Sequence, residues 1–224
     1  TDPITPPIRA IDGIYPGDIA FVKALDGGVT SAIVGPGSAN VIGGQMAAIK
    51  MHGDRVDDMI IKAPSVMKMA MGENPKNCYG QMQKRTPLTR MATAFLMREA
   101  FIKTREYMAK KEQKDDQGNP KEVAYDAKCE ALIPVMRREM MCHIHAHRSD
   151  DILTAIRIME EFGLWYTIVH TTDGKAIAGY LKETGITPIT GPFGTSTKPE
   201  TDHEGFDTPG VLFNAGMEVC ITMD

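Results

Sequence analysis

The chain has 224 residues, with 25 Lys and Arg against 29 Asp and Glu and a formal net charge of -4. Its 42% hydrophobic and 24% charged content is ordinary globular composition, which excludes a disordered or collagen-like polypeptide. A pI near 5.9 without a basic block argues against nucleic acid as a partner. The apolar runs fall far short of the ~20 residues that a membrane helix needs, so no membrane partner is expected. Four cysteines, none in a C-x-x-C pair, read as reduced, buried thiols of a cytoplasmic protein. No signal peptide opens the chain, and Thr1 in place of Met reads as a processed or trimmed start. The 16 methionines read as soft core filler.

In chain order, Pro3, Pro6, Pro7 and Pro16 mark an extended opening loop, and a helical stretch over 16–25 leads to Gly27 and Gly28. The β-branched run 29–34, closed by Gly35-Pro36-Gly37, predicts a buried strand and a glycine-rich loop. Residues 45–51 and 65–71 are the next strand candidates. Thr86 as N-cap and Pro87 in the first helical position predict a long helix with Leu88, Met91, Phe95 and Ile102 as its core stripe. Residues 110–120 read as a solvated helix end and loop, and 131–139 as a further helix.

The second half has a clearer grammar. A strand over 141–145 precedes a helix capped by Ser149, with Asp150 and Asp151 in its first turn. Ile152, Ala155, Ile156 and Met159 form its core stripe, and Gly163 stops it. A strand over 165–170, a helix over 175–183 and a strand over 187–190 follow. A polar loop over 194–206 leads to a short helix over 209–215 and a last strand over 218–223. This alternation predicts a parallel sheet with crossover helices in a single domain, residues 1–224. Seven strands are expected, one short of a closed eight-stranded barrel.

The strongest chemical signal is His143-Ile144-His145-Ala146-His147, where alternate residues share one face of a strand. His170 ends the next expected strand, and Asp224 follows the last one. Adjacent parallel strands that end in these residues would bring imidazoles and a carboxylate to one ion, since imidazole is the commonest metal ligand. A hydrogen-bonded core or surface histidine is the alternative for each. His52 and His203 lie in loop contexts and read as ordinary loop histidines. The glycine-rich stretch 35–44 lacks the spacing of a phosphate loop, and residues 191–194 are a weaker phosphate-site candidate. There is no G-x-S-x-G elbow, and no cysteine has a persuasive histidine partner.

At His145-Ala146-His147, followed by Asp150-Asp151-Ile152, the sequence resembles the amidohydrolase superfamily, and within it the imidazolonepropionase-related metal-dependent hydrolases. The resemblance continues through Ala10-Ile11-Asp12-Gly13-Ile14, Gly27-Gly28-Val29-Thr30, Gly35-Pro36-Gly37-Ser38-Ala39-Asn40, Gly43-Gly44-Gln45 and Met71-Gly72-Glu73-Asn74-Pro75. It runs from near Thr1 to Asp224. It implies an α/β fold, a (β/α)8 TIM-type barrel binding one or two divalent metals. It makes His145 and His170 the metal ligands of the fifth and sixth strands and Asp224 the proton-shuttling ligand of the eighth. Lys68 stands where binuclear members carry a carboxylated bridging lysine, Glu73 is a rival ligand, and His147 contacts substrate or supports a ligand.

One departure is large. The His-x-His pair of the family's first strand is missing, as is the small β-sandwich that flanks the barrel. On the resemblance, the chain is an incomplete barrel, strands 2 to 8, truncated at both ends. Two open edges and a weak or empty metal site would follow. The implied activity is hydrolysis of C–N bonds in amides or cyclic amides, with a small-molecule substrate and zinc as the default ion, iron or manganese being alternatives. A non-catalytic subunit that binds a completing segment or a second copy along its open edge is the other reading, and a phosphate-binding barrel the third.

Overall fold

The computed structural model describes residues 2–194 and 198–223. Two sheets organise them. The strands are β1 (Ser31–Val34), β2 (Ile42–Gln45), β3 (Ala47–Lys50), β4 (Ile60–Lys62), β5 (Val66–Ala70), β6 (Met141–Ala146), β7 (Tyr166–His170), β8 (Ile189–Thr190) and β9 (Cys220–Ile221). The helices are α1 (Ile19–Asp26), α2 (Val56–Met59), α3 (Glu73–Lys76), α4 (Arg90–Glu112), α5 (Ala127–Met136), α6 (Ser149–Glu161), α7 (Ala178–Thr184) and α8 (Thr208–Asn214).

The larger sheet has the order β2-β5-β6-β7-β8-β9. From β5 onward every pairing is parallel, and the crossovers carry helices, as the alternation of the sequence predicts. All five residues of β5 are buried, as are five of the six in β6, which is the mark of a sheet covered on both faces. The sheet is not closed: β2 and β9 are its ends. The count differs from the expected seven, because six strands form this sheet and three form another.

The differences lie mostly before residue 66. The run 29–34 is not a buried strand: β1 alternates exposed and half-buried residues in a small antiparallel sheet of order β1-β3-β4. The strand expected over 45–51 is two strands that part at Met46, β2 in the large sheet and β3 in the small one. β2 also runs antiparallel to β5. Its outer side is not open, because the opening segment lies along it. The N–H groups of Thr5 and Gln45 donate to the carbonyls of Ile42 and Ile8 at 2.8 and 2.7 Å.

Core packing follows the helix faces. Ile152, Ala155, Ile156 and Met159 of α6 are fully buried, as the sequence pattern predicts. Each such side chain contributes about 1.5–3 kcal/mol from area removed from water, less for the alanine. Helix α4 begins later than expected, with Thr89 as the N-cap accepting from the N–H of Ala92. It buries Ala94, Met97, Phe101 and Tyr107, while Leu88, Met91 and Phe95 face solvent. The N-cap of α6 is Arg148 rather than Ser149, whose N–H donates to the Asp173 carboxylate at 3.0 Å. Met67, Met69, Met97 and Met159 fill the core. Cys129 and Cys142 are buried thiols, whereas Cys220 is exposed and Cys78 half-buried. No described helix is long and apolar enough to cross a membrane.

Candidate metal centre

The parallel register carries chemistry to one end of the sheet. Lys68 of β5 pairs with His143 of β6, Ala70 with His145, and Ala146 of β6 with His170 of β7. His145 and His147 therefore leave the end of β6 beside His170 at the end of β7. Ligand atoms of His145, His147 and His170 all lie within 4.8 Å of one another. Their ring centroids are 4.5 to 4.7 Å apart, with the His147 and His170 rings stacked.

The backbone is bent to make this corner. His170 and Thr171 have φ of 72° and 46°, the left-handed region that non-glycine residues avoid. Such residues cost about 1–3 kcal/mol each and persist only where their surroundings fix them. Here the N–H of Thr171 donates to the Ala146 carbonyl at 3.2 Å and its hydroxyl donates to the Ile168 carbonyl at 3.1 Å.

Hydrogen bonds orient the rings. The Nδ1 of His170 lies 2.8 Å from the Gly191 carbonyl oxygen, which only accepts, so Nδ1 carries a proton and donates it. His147 Nδ1 pairs with the Thr172 hydroxyl at 2.7 Å. Lys198 Nζ donates to Asn74 Oδ1 at 2.7 Å, which turns the Asn74 amide nitrogen toward His145 Nε2 at 3.0 Å. His145 Nε2 is therefore the acceptor of its ring, and an ion bound there would take the place of Asn74.

Burial, and then the neighbouring imidazoles, hold the His145 pKa well below the ordinary histidine value. The same causes bring His147 down to about 3. Both rings are neutral near pH ~7, the form that a metal takes. Three buried imidazoles, one with its Nδ1 proton held by a backbone carbonyl, are a donor set that fits a divalent cation.

The comparisons agree with this geometry. Over its whole length the chain is 44% identical to an amidohydrolase from Thermotoga maritima MSB8, whose crystal structure superposes with a TM-score of 0.95. The chain belongs to the amidohydrolase superfamily. It covers 58% of that structure's chain. Amidohydrolase tasK of Hapsidospora irregularis is 32% identical over 180 residues, 72% of this chain and 18% of its own length. No family model matches the sequence.

In this amidohydrolase chain the histidines line a cleft of about 570 Å³ together with Lys68, Asn74, Pro192 and Lys198. Gly35, Pro36 and Gly37 wall the same cleft, so the glycine-rich loop turns at its mouth. Lys68 is buried at 6% exposure and helps to depress the His145 pKa. Of the sequence candidates, the structure thus brings His145, His147, His170 and Lys68 together, with His147 standing on equal terms with the other two histidines. Glu73 does not join them: its Oε1 accepts from Asn77 Nδ2 at 2.9 Å. His203 is exposed and lies 3.3 Å from Asp173. Asp224 lies outside the described residues.

Sequence reasoning missed Glu200 and its neighbours. Glu200 sits in a short 3-10 turn, Pro199–Thr201, within the stretch expected to be a polar loop. It is 2% exposed, and its Oε1 lies 3.9 Å from His145 Nε2 and 4.0 Å from His147 Nε2. Its Oε2 accepts from the Glu73 N–H at 2.7 Å. Arg90 stands 3.8 Å from that oxygen and binds buried Asp151 at 2.9 Å. A loop carboxylate has no periodic signature, so only the fold reveals its burial.

Proposed function

We propose that this chain carries the metal-binding half of a hydrolase that cleaves C–N bonds in amides or cyclic amides. The observation that carries this reading is the convergence of His145, His147 and His170 at the ends of two parallel strands, in a chain that matches amidohydrolases. The three histidines would hold a divalent cation, zinc by default, beside Lys68. Such an ion, when bound, supplies Lewis-acid polarisation of a carbonyl and makes water acidic enough to attack it.

The chain's own residues do the rest. Gly191 and Thr172 keep the His170 and His147 rings turned to one point. Lys68 and Lys198 give the cleft a positive wall that suits a developing oxyanion. Asp224 takes the proton of the attacking water and passes it to the leaving nitrogen. The open six-stranded sheet is, on this reading, the greater part of a (β/α)8 barrel. The substrate is a small molecule that enters the cleft.

The test is hydrolysis of a panel of amides and cyclic amides with zinc present, by the chain as it stands and by its Asp224→Asn variant. Turnover that the variant loses while still binding zinc supports the assignment. Full activity in the variant contradicts the role of Asp224. A second reading, a subunit that pairs along β9, is favoured by the exposure of both β9 residues at the end of the sheet. A chain that stays monomeric at high concentration counts against it.

A further inference from the structure

We propose that Glu200 is a carboxylate ligand of the metal centre: its Oε1 oxygen, with the imidazoles of His145 and His147, binds the divalent cation. The inference rests on the reading of the histidine cluster as a metal site. Three observations carry it.

First, the carboxyl group is buried and half satisfied. Its Oε2 accepts from the Glu73 N–H at 2.7 Å, but Oε1 accepts no hydrogen bond among the described residues. Leaving a buried carboxylate oxygen without a partner is unfavourable, so such an atom points to a ligand that completes it.

Second, that oxygen faces the cluster symmetrically, 3.9 Å from His145 Nε2 and 4.0 Å from His147 Nε2. Bonds of about 2.0–2.2 Å to one ion allow a nitrogen and an oxygen to stand up to about 4.2 Å apart across it. Both distances fall inside that reach, and a small inward movement brings them to tetrahedral spacing.

Third, the surroundings hold Glu200 for this place. Gly72 has φ of 77°, and a Cβ there would meet Glu200 Oε2 at 2.8 Å and Asp151 Oδ2 at 3.0 Å. Only glycine lets the two carboxylates crowd the start of α3. Arg90 lies against both and keeps them together. Glu200 is buried at 2% exposure, whereas its neighbours Lys198 and Thr201 wall the cleft. The neutral rings of His145 and His147 bring no charge to a dication, and the Glu200 carboxylate offsets part of it.

The experiment is a cobalt(II) titration of the full chain, followed by visible absorption and by competition with a chelator. Glu200→Gln keeps the shape and the acceptor for Glu73, while Glu200→Asp keeps the charge but withdraws the oxygen by one methylene. Both variants are expected to bind cobalt at least about 10-fold more weakly and to shift its d–d band. A urea melt without metal confirms that each variant folds, and if Glu200→Gln does not, Glu200→Asp carries the test. Wild-type affinity and an unchanged band in a folded variant overturn the proposal and leave the histidine site standing. Failure of the unaltered chain to take up cobalt overturns the metal reading of the cluster, and Glu200 with it.

Discussion

The Nδ1 atom of His170 donates to the carbonyl oxygen of Gly191 at 2.8 Å, which ties the end of β7 to the turn that follows β8. This bond holds the Nδ1 proton and orients the ring. It also gives the Gly191-Pro192 turn, a phosphate-site candidate in the sequence, a different task.

Gly191 has φ of 94°, and a Cβ there would stand 2.6 Å from the Thr222 carbonyl oxygen. Gly191→Ala therefore has to move the carbonyl that orients His170. We expect zinc affinity to fall about 10–100-fold, the usual cost of losing a group that orients a ligand. Chelator competition on the purified variant measures it, and unchanged affinity would show that the bond to His170 is dispensable.

The ion pair between Arg90 and Asp151 is largely buried, with side-chain exposures of 27% and 3%. Removing the cation leaves two buried carboxyl groups, Asp151 and Glu200, against each other. Arg90→Met is expected to destabilise the fold by about 3 kcal/mol, since breaking a buried pair from one side costs about 3–5 and this one is partly wet. Urea denaturation reads the change. Arg90→Met combined with Asp151→Leu should recover part of the loss.

Much of the sheet's second half was legible because its strands are short apolar runs bounded by glycine, and α6 has one clean apolar stripe. Helix α4 shows where periodicity fails. Leu88, Met91, Phe95 and Ile102 fit a 3.6-residue repeat, but so do Ala94, Met97, Phe101 and Thr104 on the opposite side. Only packing against α5 and α6 chooses between them, and it buries Met97 and Phe101 completely while Met91 stays 78% exposed. The pairing of the opening segment with β2 was illegible for a related reason: its proline-rich sequence has no strand alternation, and its hydrogen bonds are made to a distant partner. The histidines at 145 and 170 were readable because strand ends in a parallel sheet share an edge. Glu200 was not, because loops carry no period.

Asp126 caps α5 by accepting from the N–H groups of Lys128 and Cys129 at 2.9 and 3.1 Å, and it pairs with Lys103. The Lys103 ammonium, then the Cys129 N–H, draw its pKa from the ordinary 3.8 down to about 2. A carboxylate with a depressed folded pKa stabilises the fold above the unfolded value, and that contribution is lost as pH falls through the folded one. Asp126→Ala should cost about 1 kcal/mol near pH ~7. The gap to the parent should hold down to about pH 4 and close toward pH 2, as followed by urea midpoints. A gap that does not depend on pH would contradict the capping role of the charged group.

We propose that His145, His147 and His170 together hold one divalent cation. This is tested most directly by elemental analysis of the full chain after equilibration with zinc and gel filtration. We expect about one zinc per chain, and none in a folded His145→Ala, His170→Ala double variant. A parent chain that emerges without metal, or a double variant that retains it, would show that these histidines do not form the site.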